Sequence, residues 1–116
     1  MTQEPTLTSG VVEPSKPAVV NAGDYLNKLA GERIERECRL RLQEGCDEII
    51  VNFSETELVN SIGVSILLGI IDSASNKGAK VVFSDVKQET IELFDLLGVT
   101  KHVDVEIRDR LQQSLW

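Results

Sequence analysis

The chain has 116 residues, of which 41% are hydrophobic, 27% are charged and only 4% are aromatic, and its net charge is −7. This length and composition predict one soluble domain with a core of Leu, Ile and Val, and they exclude a fibrous or broadly disordered chain. The negative charge and the scarcity of aromatic side chains argue against nucleic acid as a partner, because such partners require phosphate neutralisation and base stacking.

The sequence also argues against direct membrane insertion. Its longest dense apolar segment, residues 62–71, has ten residues, whereas a membrane-spanning helix needs about 20. The N-terminus has no basic start followed by an apolar core, so we do not expect it to be a secretory signal. We therefore expect a cytoplasmic protein.

The first part of the chain predicts two short extended segments and one long helix. The extended segments are residues 5–12 and 16–22, with the turn "EPSK" between them. The helix covers residues 24–44, with Asp24 as its N-cap and Gly45 at its end. Apolar residues recur at every third or fourth position of this segment, which indicates one buried stripe.

Three later runs rich in β-branched residues predict strands, namely residues 48–54, 79–85 and 103–107. Helices are predicted at residues 61–76, within residues 87–98 and, as a last short helix, in residues 108–116. Strands that alternate with helices favour parallel pairing through right-handed crossovers. The expected fold class is α/β, with a small mixed or mostly parallel sheet of four to five strands and helices mainly on one face.

The residues that carry most enzyme and metal chemistry are few. Cys38, Cys46 and His102 supply too few ligands for a zinc site, so no metal or cofactor is expected. Both cysteines are interpreted as buried free thiols, and His102 as a loop residue. No Gly-rich phosphate loop and no nucleophile motif is present. A binding protein is therefore favoured over an enzyme.

The start of the helix at residues 61–76 is the strongest candidate for a functional site. Asn60 is placed to cap this helix, and Ser61 follows in its first turn. A phosphate on Ser61 would lie near unsatisfied backbone N–H groups and the positive end of the helix dipole. The alternative, which the local pattern alone favours, is that Asn60 and Ser61 only start the helix.

The body of the same helix is more apolar than one buried stripe requires. Its apolar residues are Ile62, Val64, Ile66, Leu67, Leu68, Ile70 and Ile71. The excess surface is covered either by neighbouring helices of the same domain or by a partner protein that docks beside Ser61. The sequence leaves both alternatives open.

Three stretches of sequence carry a family resemblance. They are "AVVNAGDYL", "EIIVNFSETELVNSIGVSILLGII" and "NKGAKVVFSDVKQETIELFDLLGV". In content and order they resemble the STAS domain, the fold shared by bacterial anti-sigma factor antagonists and sulphate transporter tails. The resemblance covers about residues 16–115 and implies a single STAS-like domain over residues 1–116, in which residues 1–15 are a less typical N-terminal segment.

The resemblance also implies a site and its partners. The serine of the family's Asp-Ser-x-Gly turn, which a partner kinase phosphorylates, falls on Ser61, and its glycine falls on Gly63, whereas Asn60 replaces the aspartate. The implied function is that of an anti-sigma factor antagonist, which binds a serine-kinase anti-sigma factor until phosphorylation blocks that binding. A metal-dependent serine phosphatase then restores it. The residues expected to contact the partner are Val59, Asn60, Ser61, Ile62, Gly63 and Val64.

Other functions stay open at this point. The chain could be an unphosphorylated STAS scaffold or accessory subunit of a signalling or transporter complex. The presence of Asn60 in place of the family's aspartate leaves this alternative open. A small α/β enzyme or nucleotide-binding protein is a third class, because sites can be grafted onto any fold. Assembly into a homodimer is also left open.

Overall fold

Strands and helices alternate along residues 16–107, the part of the chain that the computed structural model describes. In this part the strands are β1 (Pro17–Asn21), β2 (Tyr25–Leu26), β3 (Glu48–Asn52), β4 (Leu58–Val59), β5 (Lys80–Val86) and β6 (Asp104–Ile107). The helices are α1 (Lys28–Gln43), α2 (Ser61–Asn76) and α3 (Gln88–Leu96), and a 3-10 turn covers Val99–Lys101. The predicted alternation is confirmed.

Four of these strands form one parallel sheet in the order β1-β3-β5-β6. In this register Val20 pairs with Val51, Val51 with Phe83, and Phe83 with Val105. Because side chains alternate between the faces of a strand, these paired residues lie in one row on the same face. The α/β fold class and the mostly parallel sheet are confirmed.

The core lies on the face of the sheet that carries this row. Side chains from all three helices join it, including Ile34 of α1, Val64 of α2 and Phe94 of α3. Phe94 packs edge-to-face on Phe53 and Phe83, with ring centroids 5.6 and 5.5 Å apart. On the opposite face, Val19 is 66% exposed. The helices that the structure describes therefore pack on one face, as expected.

Helices α1 and α2 lie against each other, and this contact covers most of the excess apolar surface of α2. A Cβ atom added at Gly31 of α1 would lie only 3.0 Å from Cδ1 of Ile66. The buried apolar residues of α2 are Val64, Leu67, Ile70, Ile71 and Ala74. Ile62, in contrast, is 55% exposed. The same domain thus covers most of this helix, and the surface that remains for a partner lies at its N-terminal end.

The predicted start of α1 is wrong by four residues. The helix begins at Lys28, and its N-cap is Asn27, whose Oδ1 accepts a hydrogen bond from the backbone N–H of Ala30 at 2.9 Å. Asp24 does not cap it, because the following residues Tyr25 and Leu26 are extended and pair with the short strand β4. The predicted end is close to the observed one, since Gly45 adopts a φ of 93° just beyond the C-cap.

The two cysteines differ in burial. Both are free, as expected, but only Cys38 is buried. Cys46 is half-buried, because it follows the turn at the end of α1 and so lies outside the core stripe of that helix. The expectation of a buried thiol is therefore correct for Cys38 and wrong for Cys46.

The bounds of the other predicted elements shift by small amounts. The strand expected at residues 48–54 ends at Asn52, and the strand expected at residues 79–85 continues to Val86. The extended segment expected at residues 5–12 and the short helix expected at residues 108–116 lie outside the described residues. Within residues 16–107, none of the helices is long and apolar enough to cross a lipid bilayer.

Candidate functional site

The hydroxyl-bearing residue Ser61 occupies the first position of α2, directly after its N-cap. Asn60 is extended, with φ −113° and ψ 161°, and its Oδ1 accepts a hydrogen bond from the backbone N–H of Gly63 at 2.9 Å. This is the geometry of an N-cap, in which a side-chain oxygen satisfies an N–H group that the helix itself leaves unpaired. The predicted cap and helix start are confirmed.

The Ser61 side chain is available to other molecules. Ser61 is exposed, and within residues 16–107 its hydroxyl forms no hydrogen bond with a protein group. The first turn of α2 contains no acidic residue. Because the positive end of a helix dipole favours an anion, this helix end can accommodate negative charge on Ser61.

The loop that leads into Ser61 is fixed on the segment after β1. Thr56 is 3% exposed and donates its hydroxyl hydrogen to the carbonyl of Gly23 at 2.6 Å. The backbone N–H groups of Glu57 and Asn60 donate to Asp24 and Leu26 at 2.8 and 2.9 Å. These contacts define the path of the chain before the helix starts, so Ser61 does not lie on a free loop.

Gly63 has a steric role in this arrangement. A Cβ atom added at this position would lie 2.8 Å from the backbone oxygen of Leu26 and 2.9 Å from its Cγ. Real Cβ atoms essentially never approach backbone this closely. A glycine two residues after Ser61 is therefore what allows the first turn of α2 to lie against β2.

The six residues expected to contact a partner are not equally accessible. Ser61 and Ile62 are exposed, whereas Val59 and Asn60 are half-buried. Gly63 and Val64 are buried, and Val64 is only 1% exposed. Val64 starts the helical stripe that faces the sheet, so the expectation that its side chain is offered to a partner is wrong.

Two exposed residues that the sequence analysis did not identify lie beside this turn. Tyr25 is 41% exposed and Leu58 is 62% exposed, and the two residues are paired in the short β2-β4 ladder. Nδ2 of Asn60 lies 3.4 Å from the hydroxyl oxygen of Tyr25. We call Tyr25, Leu58, Ser61 and Ile62 the Ser61 surface. The one signal in the sequence for this surface was Leu58, an apolar residue in the largely polar stretch "SETELVNS".

The structure shows no second centre of reactive groups in its described part. His102 is exposed at the end of the 3-10 turn, as expected of a loop residue, and its ring forms no hydrogen bond with residues 16–107. His102 lines a concavity of about 310 Å³, together with Ile71 and Ser75 from the C-terminal half of α2. Among the described residues, no group of three or more His, Cys, Asp or Glu side chains is arranged to hold a metal ion.

Comparison with known proteins agrees with this architecture. A family model of the STAS domain matches residues 11–114. The STAS domain of a SulP transporter from Vibrio cholerae is 22% identical, with a TM-score of 0.68 over 82% of this chain and 76% of that chain.

The anti-sigma factor antagonist SpoIIAA in its unphosphorylated form is 15% identical, with a TM-score of 0.63 over 90% of this chain and 91% of that chain. SpoIIAA is also a Bacillus cell fate determinant, and its phosphorylated form is 16% identical, with a TM-score of 0.62 over 91% and 96% of the two chains. These solved structures share the fold, and the family model covers most of the sequence. The chain belongs to the STAS domain family.

Proposed function

We propose that this protein is a cytoplasmic anti-sigma factor antagonist that acts by partner switching, with Ser61 as the residue that is phosphorylated. The unphosphorylated form binds a serine-kinase anti-sigma factor, and the sigma factor is thereby released. Phosphorylation of Ser61 ends this binding, and a metal-dependent serine phosphatase restores it. In this proposal the chain acts by binding and is a substrate of the kinase rather than an enzyme.

One observation carries the proposal. In the first turn of α2, Ser61 presents a hydroxyl that has no hydrogen-bond partner among the described residues, beside the exposed apolar side chain of Ile62. A kinase needs an accessible hydroxyl, and a docking partner needs exposed apolar area, and both are present at this helix end. One of the compared structures is of SpoIIAA in its phosphorylated form, so one protein of this fold is known in a phosphorylated state.

The physical effect of phosphorylation follows from the same geometry. A phosphoserine carries a charge of about −1.5 to −2 at pH 7, and three strongly hydrated acceptor oxygens. The N-terminus of α2 stabilises this charge in the free protein, because it has unpaired N–H groups and no acidic side chain in its first turn. A partner that covers Ile62 would have to remove water from the phosphate, so the modified form loses affinity.

Asn60 in place of the family's aspartate is compatible with this switch. Its amide oxygen accepts the Gly63 N–H at 2.9 Å, so the cap is made without a carboxylate. A neutral residue at this position also places no negative charge directly before the phosphorylated serine. We therefore expect Asn60 to maintain the turn in both states of Ser61.

A second function has support from one comparison. The SulP transporter domain has the highest identity of the three compared structures, at 22%. In this alternative the chain is a scaffold or accessory subunit of a transporter or signalling complex, and Ser61 is not phosphorylated. The Ser61 surface would then be a permanent contact.

Binding to a serine-kinase anti-sigma factor from the same genome tests the proposal. Wild-type protein and Ser61→Ala should bind it, whereas Ser61→Glu should bind at least tenfold more weakly because of its added charge. Ser73→Glu, which adds the same charge to an exposed position near the other end of α2, is the matched control and should bind normally. Equal binding by Ser61→Glu and Ser73→Glu would contradict the proposal. Recovery of transporter subunits without a kinase from native cells would favour the alternative.

A further inference from the structure

Lys87 is a largely buried cation at an unfavourable place. It is the N-cap residue of α3, where it makes no side-chain cap hydrogen bond. Its side chain is only 15% exposed. Lysine is rarely buried without a partner, and the positive end of a helix dipole disfavours a cation. A compensating anion is therefore required.

Glu57 supplies that anion from the loop before Ser61. Its Oε1 lies 2.5 Å from Nζ of Lys87, and its side chain is 68% exposed. The two residues are 30 positions apart in the sequence. The ion pair thus connects the loop that leads into α2 with the start of α3.

This connection holds the loop to a different element than the hydrogen bonds described above. Thr56 and Asn60 bind the segment after β1, through Gly23 and Leu26. Lys87 holds Glu57, which lies between them in the sequence, toward α3. The loop is therefore fixed on two structural elements, and Glu57 is four residues from Ser61.

We infer that Lys87 is a positioning residue for the Ser61 turn: its ion pair with Glu57 fixes the loop over residues 54–60 and so presents Ser61 to a kinase in one geometry. This inference rests on the proposed function for its biological meaning. Its physical content, the order of the loop, does not depend on a kinase. Loss of the ammonium group leaves the exposed Glu57 carboxylate without this contact and increases the local opening of the loop.

Amide hydrogen exchange of the isolated full chain tests the inference. In Lys87→Met, which keeps an unbranched chain one atom shorter than lysine and removes its charge, the amides of residues 57–61 should exchange about fivefold faster, the size expected for loss of an ion pair of about 1 kcal/mol. Amides of β3 and β5 should not change. Lys80→Met is the matched control, because it removes the exposed pair with Asp104, where Nζ and Oδ2 are 3.1 Å apart.

Two rescue variants separate positioning from a general loss of stability. Lys87→Arg keeps the charge and should keep slow exchange in the loop. The exchanged pair Lys87→Glu with Glu57→Lys should restore it, because the contact is re-formed with opposite signs and the new carboxylate lies at the N-terminus of α3. In kinase assays, Lys87→Met should raise the KM for this chain more than it lowers kcat, because the loop must be ordered on binding.

The outcomes are distinct from those that test the function. Faster exchange confined to the loop, with rescue by the exchanged pair, supports the inference even where no kinase acts on Ser61. Unchanged exchange in Lys87→Met overturns it even where Ser61 is phosphorylated normally. An equal increase at all amides, without rescue, also overturns it, because Lys87 would then only stabilise the domain as a whole.

Discussion

Gly63 and Leu26 are in such close contact that no side chain fits between them. A Cβ atom at Gly63 would lie 2.8 Å from the backbone oxygen of Leu26. Asn60 donates its backbone N–H to that same oxygen at 2.9 Å. The residue before Ser61 and the residue two positions after it are therefore both held against β2, which determines where Ser61 lies.

Gly63→Ala should destabilise the protein. The added methyl group would force backbone to move, and such overpacking costs roughly 1–3 kcal/mol of unfolding free energy. Gly69→Ala is the matched control on the same helix, because a Cβ atom there has no neighbour within 4 Å. That variant should gain about 0.5–1 kcal/mol, since alanine is the better helix residue. Denaturation in urea measures both, and equal stability of the two variants would contradict the close contact.

Substitutions at Asn60 should separate capping from charge. Asn60→Ala removes the acceptor for the Gly63 N–H and should cost about 1 kcal/mol of stability. Asn60→Asp keeps the acceptor and adds a charge that the helix dipole favours by roughly 0.3–1 kcal/mol. In thermal unfolding at pH 7, the melting temperature of Asn60→Asp should thus equal or exceed that of the wild type, and that of Asn60→Ala should be lower. An aspartate variant as unstable as the alanine variant would show that the cap does not operate.

Substitutions at Ile62 and Val64 should have different effects, the first on partner binding and the second on stability. Ile62 is 55% exposed, so Ile62→Ala should change the unfolding free energy by no more than about 0.5 kcal/mol while weakening the anti-sigma partner's binding. Val64 is 1% exposed, so Val64→Ala should cost about 2 kcal/mol through loss of core packing. Chemical denaturation and calorimetric titration measure the two effects. Unaltered partner binding by Ile62→Ala would remove this residue from the docking surface.

Cys38 and Cys46 should differ in reactivity. Burial, with a smaller effect from the nearby carboxylates of Glu37 and Glu35, raises the pKa of the Cys38 thiol to about 12. Because the thiolate is the reactive form, iodoacetamide at pH 8 should modify half-buried Cys46 in the folded protein and Cys38 only after unfolding. Peptide mass spectrometry measures this order. Modification of Cys38 at the rate of Cys46 would contradict the burial.

The same raised pKa predicts a dependence of stability on pH. The folded state disfavours the Cys38 thiolate, so this contribution is fully present below the ordinary pKa of 9.0 and is lost as the pH rises toward about 12. Between these values the wild type should lose stability relative to Cys38→Ala, in which the titrating group is absent. Denaturation in urea at a series of pH values measures this difference, and a parallel pH dependence of the two proteins would contradict the prediction.

The sequence was sufficient to predict the helices and strands that have a strong local signal. The apolar residues of β3 and β5 form continuous runs, so β3 lies within its predicted range and β5 extends only one residue beyond its own, to Val86. The start of α2 was predicted at the correct residue, because Asn60 is a strong N-cap directly before an apolar helix. Local preference alone also offered Asp24 as a cap for α1, but the pairing of β2 with β4 made Asn27 the cap instead.

The accessible surface around Ser61 could not be predicted in the same way. Helix α2 is apolar on nearly all sides of its first turns, so its sequence does not show that Ile62 faces outward and Val64 inward. Tyr25 and Leu58 are brought together by a ladder of two-residue strands, which are too short to show a period. The contact of Glu57 with Lys87 joins separate loops, and it becomes visible only in three dimensions.

In the proposed function, Ser61 is the phosphorylated residue of a partner switch. The most direct measurement is fragment mass spectrometry of this chain after incubation with ATP and the serine-kinase anti-sigma factor of the same genome. We expect one phosphate, located on Ser61, which is absent from the Ser61→Ala variant, and we expect the modified chain to dissociate from the kinase. Phosphate on another residue such as Ser65, or no phosphate on a chain that the kinase binds, would contradict the claim.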